Sequence, residues 1–141
     1  MRLDKNRRVI LWGGTGQAKV VRPIIEYYGS KIVAVFDDNP NLPAPFPDIP
    51  LYYGREGFQK WIKSEKRRDI SFCVTIGNPH GHIMVQLHKW LVKEGLKSTT
   101  IVHPSAQIAD NAIIGDGCQF MAGAIVNSQA PNRITIDRRF G

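Results

Sequence analysis

The sequence lacks any long hydrophobic run, and it contains only two cysteines among 141 residues. No apolar stretch approaches the roughly 20 residues that cross a bilayer. Residues 1–8, which include several basic side chains, lead directly into a strand pattern. They are not followed by the apolar region and cleavage site of a signal peptide. Cys73 and Cys118 have no paired spacing, which argues against a disulfide framework and favours a reducing compartment. These absences predict a cytoplasmic protein that does not enter a membrane.

Motifs for nucleic-acid, metal or nucleophile chemistry are also missing. The net charge of +7 comes from local clusters of lysine and arginine, and no basic motif is interleaved with aromatic residues. His80 and His82 lack a third ligand nearby, so we predict no metal site. No serine or cysteine stands in a recognisable pattern with a histidine base. The charge predicts attraction of anionic ligands such as nucleotides, and no nucleic-acid interface.

A six-residue repeat is the strongest pattern that is present. Large apolar residues recur at every sixth position. A small residue precedes each of the last four by two positions, and one more small residue continues the series after them. The large residues are Val102, Ile108, Ile114, Phe120 and Val126, and the small ones are Ala106, Ala112, Cys118, Ala124 and Ala130. Neither a helix nor a flat strand has this period, whereas a parallel β-helix uses one hexad for each flat side. An accidental spacing within a hairpin is the weaker alternative.

The repeat ends near Pro131, because Asn132 occupies the next position of the large apolar series. A solenoid needs roughly three or more units and caps at its ends. We therefore expect residues 102–141 to hold only the start of a β-helix, cut short and followed by an irregular tail. Uncovered apolar residues of the last coil would favour association through residues 102–131.

Residues 1–101 alternate strand and helix patterns, which is typical of an α/β domain with a parallel sheet. The predicted strands are residues 8–12, 31–36, 51–53, 70–76 and 99–102, and the predicted helices are residues 17–28, 55–66 and 80–94. Pro23 predicts a kink or an irregular first turn in the first helix. The proline-rich residues 39–50 predict a stiff, extended loop.

A glycine loop joins the first strand to the first helix. A helix N-terminus offers N–H groups and a partial positive charge to a phosphate, and glycines allow close approach. Polar residues follow the second strand, and a second Gly-Asn loop follows the strand predicted over residues 70–76. The candidate substrate-binding residues are Gly13, Gly14, Thr15, Gly16, Lys19, Asp37, Asp38, Asn39, Gly77 and Asn78. A tight structural turn is nearly as good an interpretation of the glycine loop alone. The group together favours a ligand crevice at the strand ends.

The glycine loop departs from two well-known phosphate motifs. Gln17, Ala18 and Lys19 follow Gly16, so the third glycine of GxGxxG is missing, as is the Gly-Lys-Ser/Thr of a P-loop. The missing glycine and the hexads argue against a nicotinamide-dependent oxidoreductase, which stays as an alternative class. Lys19 would instead place a positive charge near a phosphate.

The combination resembles the sugar O- and N-acetyltransferases of the sialic acid O-acetyltransferase type. The resemblance rests on Gly13 to Lys19, Val35 to Asn39, Ile76 to Asn78, and His103 to Ala106. It implies a Rossmann-like domain over residues 1–101 that holds the nucleotide of a UDP-sugar or similar substrate. It further implies a left-handed hexapeptide-repeat β-helix over residues 102–141, acetyl-CoA as co-substrate, and a homotrimer.

The resemblance also assigns roles to individual residues. Asp37 and Asp38 would face the base or ribose, and the glycine loop with Lys19 would face the phosphate or sugar. The family usually has His-Gly where this chain has Gln17-Ala18, and no residue here takes the place of the family's histidine base. We therefore expect negligible acetyl transfer by this chain alone. A non-catalytic nucleotide-sugar-binding module is the second hypothesis.

Overall fold

The computed structural model describes residues 6–76, 81–108, 119–120 and 125–126. Its main sheet has five parallel strands in the order β3-β2-β1-β4-β5. The strands are β1 (Arg8–Trp12), β2 (Lys31–Asp37), β3 (Leu51–Tyr53), β4 (Ile70–Val74) and β5 (Lys97–Ser98). β1 and β4 consist mainly of buried apolar residues because both faces of the sheet are covered. The predicted Rossmann-like α/β fold is confirmed.

Helices cover both faces of the sheet. They are α1 (Gly16–Tyr27), α2 (Gly54–Ile62) and α3 (Gly81–Lys93), and a short 3-10 helix, Arg67–Asp69, precedes β4. One core contains residues of α1, the 38–50 loop and Ile101. The other core contains residues of α2 and α3 and a group of aromatic rings around Trp12 and Phe36. In the described part of the chain, no helix has the length and apolar character that a bilayer crossing requires.

Four short strands follow the main sheet. They are β6 (Ile101–Val102), β7 (Gln107–Ile108), β8 (Gln119–Phe120) and β9 (Ile125–Val126). β6 pairs in parallel with β8, and β7 pairs in parallel with β9, each residue facing one eighteen positions later. Eighteen residues are three hexads, which is the length of one coil of a triangular parallel β-helix. The left-handed sense of the coil stays a prediction, and the rest of residues 109–141 lies outside the described residues.

Several predicted element ends differ from the structure. The second helix ends at Ile62 instead of residue 66, because the amide of Glu65 bonds to the Ile62 carbonyl at 3.0 Å and tightens the chain into a turn. β4 ends at Val74 because its partner β1 ends at Trp12, where the chain turns. α1 is continuous through the exposed Pro23.

The strand predicted over residues 99–102 is shorter in the structure, where β6 covers only Ile101–Val102. A separate strand that was not predicted, β5, precedes it at Lys97–Ser98 and pairs with Ser71 and Phe72. The predicted domain boundary between residues 101 and 102 falls inside β6. The Tyr28 hydroxyl of the first domain donates to the Val102 carbonyl at 2.6 Å.

Candidate functional site

The carboxyl ends of β1, β2 and β4 meet at one edge of the main sheet. The strand order reverses between β1 and β4, because β2 and β3 lie on one side of β1 whereas β4 and β5 lie on the other. In open parallel sheets, ligands bind in the crevice at such a point. Gly13 follows β1 directly and Thr75 follows β4 directly, so the glycine loop lies at this point.

Gly13 is held by both neighbouring strands. Its backbone has φ +122°, which favours glycine, and its N–H donates to the Phe36 carbonyl at 2.7 Å. The fully buried Thr75 hydroxyl donates to the Gly13 carbonyl at 2.7 Å. A Cβ on Gly13 would lie 2.6 Å from the Thr75 carbonyl oxygen. Gly13 therefore allows close packing of two chain segments. Sequence reasoning did not identify Thr75, since one threonine after an apolar strand is an ordinary feature.

Asp37 joins the glycine loop to the loop that follows β2. One carboxylate oxygen accepts the Gly14 N–H at 2.8 Å, and the other accepts the Asn39 N–H at 2.9 Å. The side chain is half-buried. Asp38 and Asn39 are exposed, and the Asn39 side-chain oxygen accepts the Asn41 N–H at 3.0 Å. The structure thus brings the predicted acidic residues to the site and gives Asp37 two backbone partners.

The first turn of α1 is the open part of the site. Thr15 precedes the helix without a side-chain capping hydrogen bond, and no acidic residue lies in the first turn. A Cβ placed on Gly16 would meet no atom within 4 Å among the described residues beyond its own chain neighbours and helix backbone. Lys19 is exposed on the same turn. The Ala18 N–H donates to the Thr15 carbonyl at 3.0 Å. The partial positive charge of a helix N-terminus, beside open space and a lysine, favours an anionic group such as a phosphate.

The loop over residues 38–50 closes the other side of Gly14. A Cβ on Gly14 would lie 2.8 Å from the Leu42 side chain, so Leu42 fills the space there. The Tyr53 hydroxyl donates to the Leu42 carbonyl at 2.7 Å and fixes this part of the loop. No sequence pattern identified Leu42 as a wall of the site. Of the predicted site residues, Gly77 and Asn78 lie outside the described residues.

The described residues of the site provide groups that could bind a ligand more clearly than groups that could act as a nucleophile or a base. Burial raises the pKa of the Cys73 thiol to about 12, so this thiol is not a nucleophile near neutral pH. His103 lies after β6, and its Nδ1 accepts the Ser105 N–H at 3.0 Å. A separate cavity of about 290 Å³ lies between β4 and α3, and none of the predicted site residues that the structure describes lines it.

Comparison with known proteins places the chain. The family described as the PglD N-terminal domain matches residues 8–82. A curated relative, the UDP-N-acetylbacillosamine N-acetyltransferase of Bacillus subtilis (strain 168), is 29% identical over 126 residues. The alignment covers 82% of this chain and 52% of the relative, so the chain spans about half of the relative's length.

Solved structures with the same fold include two acetyltransferases. Perosamine N-acetyltransferase from Caulobacter crescentus, solved with CoA and GDP-perosamine, has a TM-score of 0.73 at 23% identity; the match covers 87% of this chain and 55% of that one. The acetyltransferase domain of PglB from Neisseria gonorrhoeae FA1090 has a TM-score of 0.67 at 25% identity. The match covers 85% of this chain and 56% of that domain's chain. A further structure of that domain contains acetyl coenzyme A. The chain belongs to the PglD N-terminal domain family, and its Rossmann-like fold is that of the sugar acetyltransferases it resembles.

Proposed function

We propose that this chain binds the nucleotide of a nucleotide-linked amino sugar at the carboxyl edge of its main sheet. The start of α1, which has no side-chain capping hydrogen bond from Thr15 and lies beside the open Gly16, carries the proposal, because the partial positive charge of a helix N-terminus attracts a diphosphate. Lys19 would add a positive charge to the same group. Asp38 and Asn39, both exposed after β2, would face the ribose or base. Gly77 and Asn78, which follow β4 in the sequence, stay predicted members of the site.

The reaction that this binding would serve is N-acetylation of the sugar amine. The amine attacks the thioester carbonyl of acetyl-CoA, a base accepts its proton, and CoA leaves as the thiol. The names of the relatives support this reaction class, since they include UDP-N-acetylbacillosamine and perosamine N-acetyltransferases. The homotrimer implied by the resemblance belongs to the same proposal.

Acetyl transfer by this chain alone is tested separately. The resemblance assigns the role of the histidine base to no residue of this chain, so we expect negligible transfer. CoA thiol release would be measured with acetyl-CoA and UDP- and GDP-linked amino sugars. Clear turnover would contradict this expectation and would direct attention to His103 and His80, whose imidazoles would be substituted next.

Thermal unfolding tests the binding proposal. A ligand that binds only the folded state raises the Tm, so UDP or GDP should raise it more than NAD does. UDP and GDP are both included because the relatives act on, or were solved with, sugars linked to either one. A Tm rise with NAD and none with UDP or GDP would favour the oxidoreductase alternative.

Lys19→Gln tests the place of binding. Lys19 is exposed, so the substitution should leave the Tm of the free protein unchanged while weakening nucleotide diphosphate binding several-fold. Lys31→Gln is the matched control, because Lys31 is exposed at the start of β2, the opposite edge of the sheet. Equal losses in both variants would show that only net charge matters, and would remove Lys19 from the site.

A further inference from the structure

Asp37 connects the two loops that border the proposed nucleotide site. It is the last residue of β2, and its carboxylate reaches Gly14 of the glycine loop and Asn39 of the 38–50 loop. We propose that Asp37 is a positioning residue, which holds these two loops at a fixed separation and does not itself bind the nucleotide. This inference rests on the proposed function, because it concerns the same site.

The chemistry of the two contacts requires a carboxylate. Both partners are backbone N–H donors, at 2.8 Å and 2.9 Å, and each is bonded to a different oxygen. An ionised carboxylate only accepts hydrogen bonds, and a bond to a charged acceptor is stronger than a neutral one. An asparagine at this position would turn its NH₂ group toward one of the two N–H groups. One bond would be lost and two donors would face each other.

The separation of the loops determines the shape of the site. The Leu42 side chain lies against Gly14, where an added Cβ would come within 2.8 Å of it. Leu42 is itself anchored through its carbonyl, which accepts the Tyr53 hydroxyl, and through its N–H, which donates to the Asn39 carbonyl at 3.2 Å. Asp37 therefore fixes both Gly14 and the start of the loop that carries Leu42. Loops that are ordered before binding do not lose further freedom when the ligand enters.

A direct ligand role for Asp37 makes a different prediction. Because a carboxylate only accepts, it can contact UDP only through a donor of the ligand. The donors of UDP are the ribose hydroxyls and the base N3–H. Loss of a direct contact would weaken binding only of ligands that carry the donor. Loss of loop positioning would weaken binding of all ligands by the same factor.

The binding test compares Asp37→Asn with Asp69→Asn. Asp69 is exposed in the 3-10 helix at the start of β4, away from the site, and gives the same change in charge. Kd is measured by calorimetry for UDP, 2′,3′-dideoxy-UDP and N3-methyl-UDP. We expect Asp37→Asn to weaken all three by the same factor, about tenfold or more, and Asp69→Asn to weaken none. A loss with UDP that disappears with either modified nucleotide would overturn the proposal and make Asp37 a ligand contact.

A second test uses the free protein and needs no ligand. In the wild-type chain labelled with ¹⁵N and ¹³C, scalar coupling across each hydrogen bond should connect the Asp37 carboxyl carbon with the amide nitrogens of Gly14 and Asn39. In Asp37→Asn, the two amide proton resonances should move upfield, and in Asp69→Asn they should stay in place. Absence of both couplings, or unchanged Gly14 and Asn39 resonances in Asp37→Asn, would overturn the proposal even if binding is weakened.

The two tests separate this inference from the function that it serves. If no nucleotide binds the wild-type chain, the proposed function fails, and the couplings still decide whether Asp37 joins the loops. If the couplings are absent and UDP binds, the function stands and the positioning role is wrong. If Asp37→Asn does not fold, the couplings in the wild-type protein decide alone.

Discussion

Glycine occupies three of the four positions from Gly13 to Gly16, and these glycines serve different purposes. Gly13 has a positive φ and no room for a Cβ. Gly14 faces the Leu42 side chain, and Gly16 faces open space. The first is therefore required by the fold, whereas the last leaves room that a ligand would use.

Alanine substitutions at Gly13 and at Gly16 should have different effects on stability and on nucleotide binding. Gly13→Ala should lower the free energy of unfolding by about 2 kcal/mol or more, since the Cβ meets the Thr75 carbonyl at 2.6 Å and φ is unfavourable. Gly16→Ala should leave stability unchanged or slightly raised, because alanine is a good helix former, and should weaken nucleotide binding. Urea unfolding measures the change in stability, and calorimetry measures the change in nucleotide binding. Equal stability of both variants would mean that the loop relaxes around the new methyl group.

At the scale of elements, the 38–50 loop is packed against α1 by buried side chains and by hydrogen bonds. Phe46 and Ile49 are buried in the core beside α1, and the Arg22 guanidinium lies 4.6 Å from the centre of the Phe46 ring. Arg22 also donates two hydrogen bonds to the Asp48 carboxylate, at 2.9 Å and 2.5 Å. These hydrogen bonds lower the pKa of Asp48 below its usual range. The loop is thus anchored to α1 on one side and borders the site on the other.

The stability that the Arg22–Asp48 hydrogen bonds contribute should depend on pH. The pKa of Asp48 is lower in the folded state, so its contribution is present above the unfolded value of about 3.9 and is lost as pH falls through the folded value. Asp48→Asn should therefore lower the Tm at pH 7, and the difference from wild type should shrink between pH 4 and pH 2. Calorimetric scans across this pH range measure the Tm difference, with Asp69→Asn as the control. A difference that is constant with pH would mean that the ion pair does not contribute.

The sequence predicted the long, buried elements well and the short, polar ones poorly. β1 has the predicted bounds, and α1 begins and ends one residue earlier than predicted, because apolar periodicity reports burial directly. β5 was not predicted as a separate strand, because Lys97 and Ser98 carry no apolar pattern and their pairing with β4 is a tertiary contact. In the site, the glycine loop and the acidic residues could be predicted. The roles of Thr75, Leu42 and Asp37 could not, because they depend on segments that are distant in the sequence.

At the scale of the whole molecule, the main sheet and the start of the hexads share a core. Ile101 is fully buried with residues of β1, β2 and α1, and Tyr28 bonds to the Val102 carbonyl. Shared burial of this kind favours unfolding of both parts in a single transition.

Ile101→Ala tests this coupling. The substitution should reduce the free energy of unfolding by about 2–5 kcal/mol, because it leaves a cavity in the shared core. The transition should remain single when followed by tryptophan fluorescence and by far-UV circular dichroism. Tyr28→Phe, which keeps the ring and removes one hydrogen bond, should have a smaller effect. Two separate transitions in the wild-type protein would show that the two parts are independent.

The strand order has a consequence for folding during synthesis. As the chain leaves the ribosome, β1 appears first, β2 then adds to one of its edges, and β3 adds to β2. β4 later takes the remaining edge of β1, and β5 adds to β4. Every new strand therefore meets a partner that has already been made, and none has to separate two paired strands in order to enter. The strand order therefore allows the sheet to grow outward in the order in which its strands are translated.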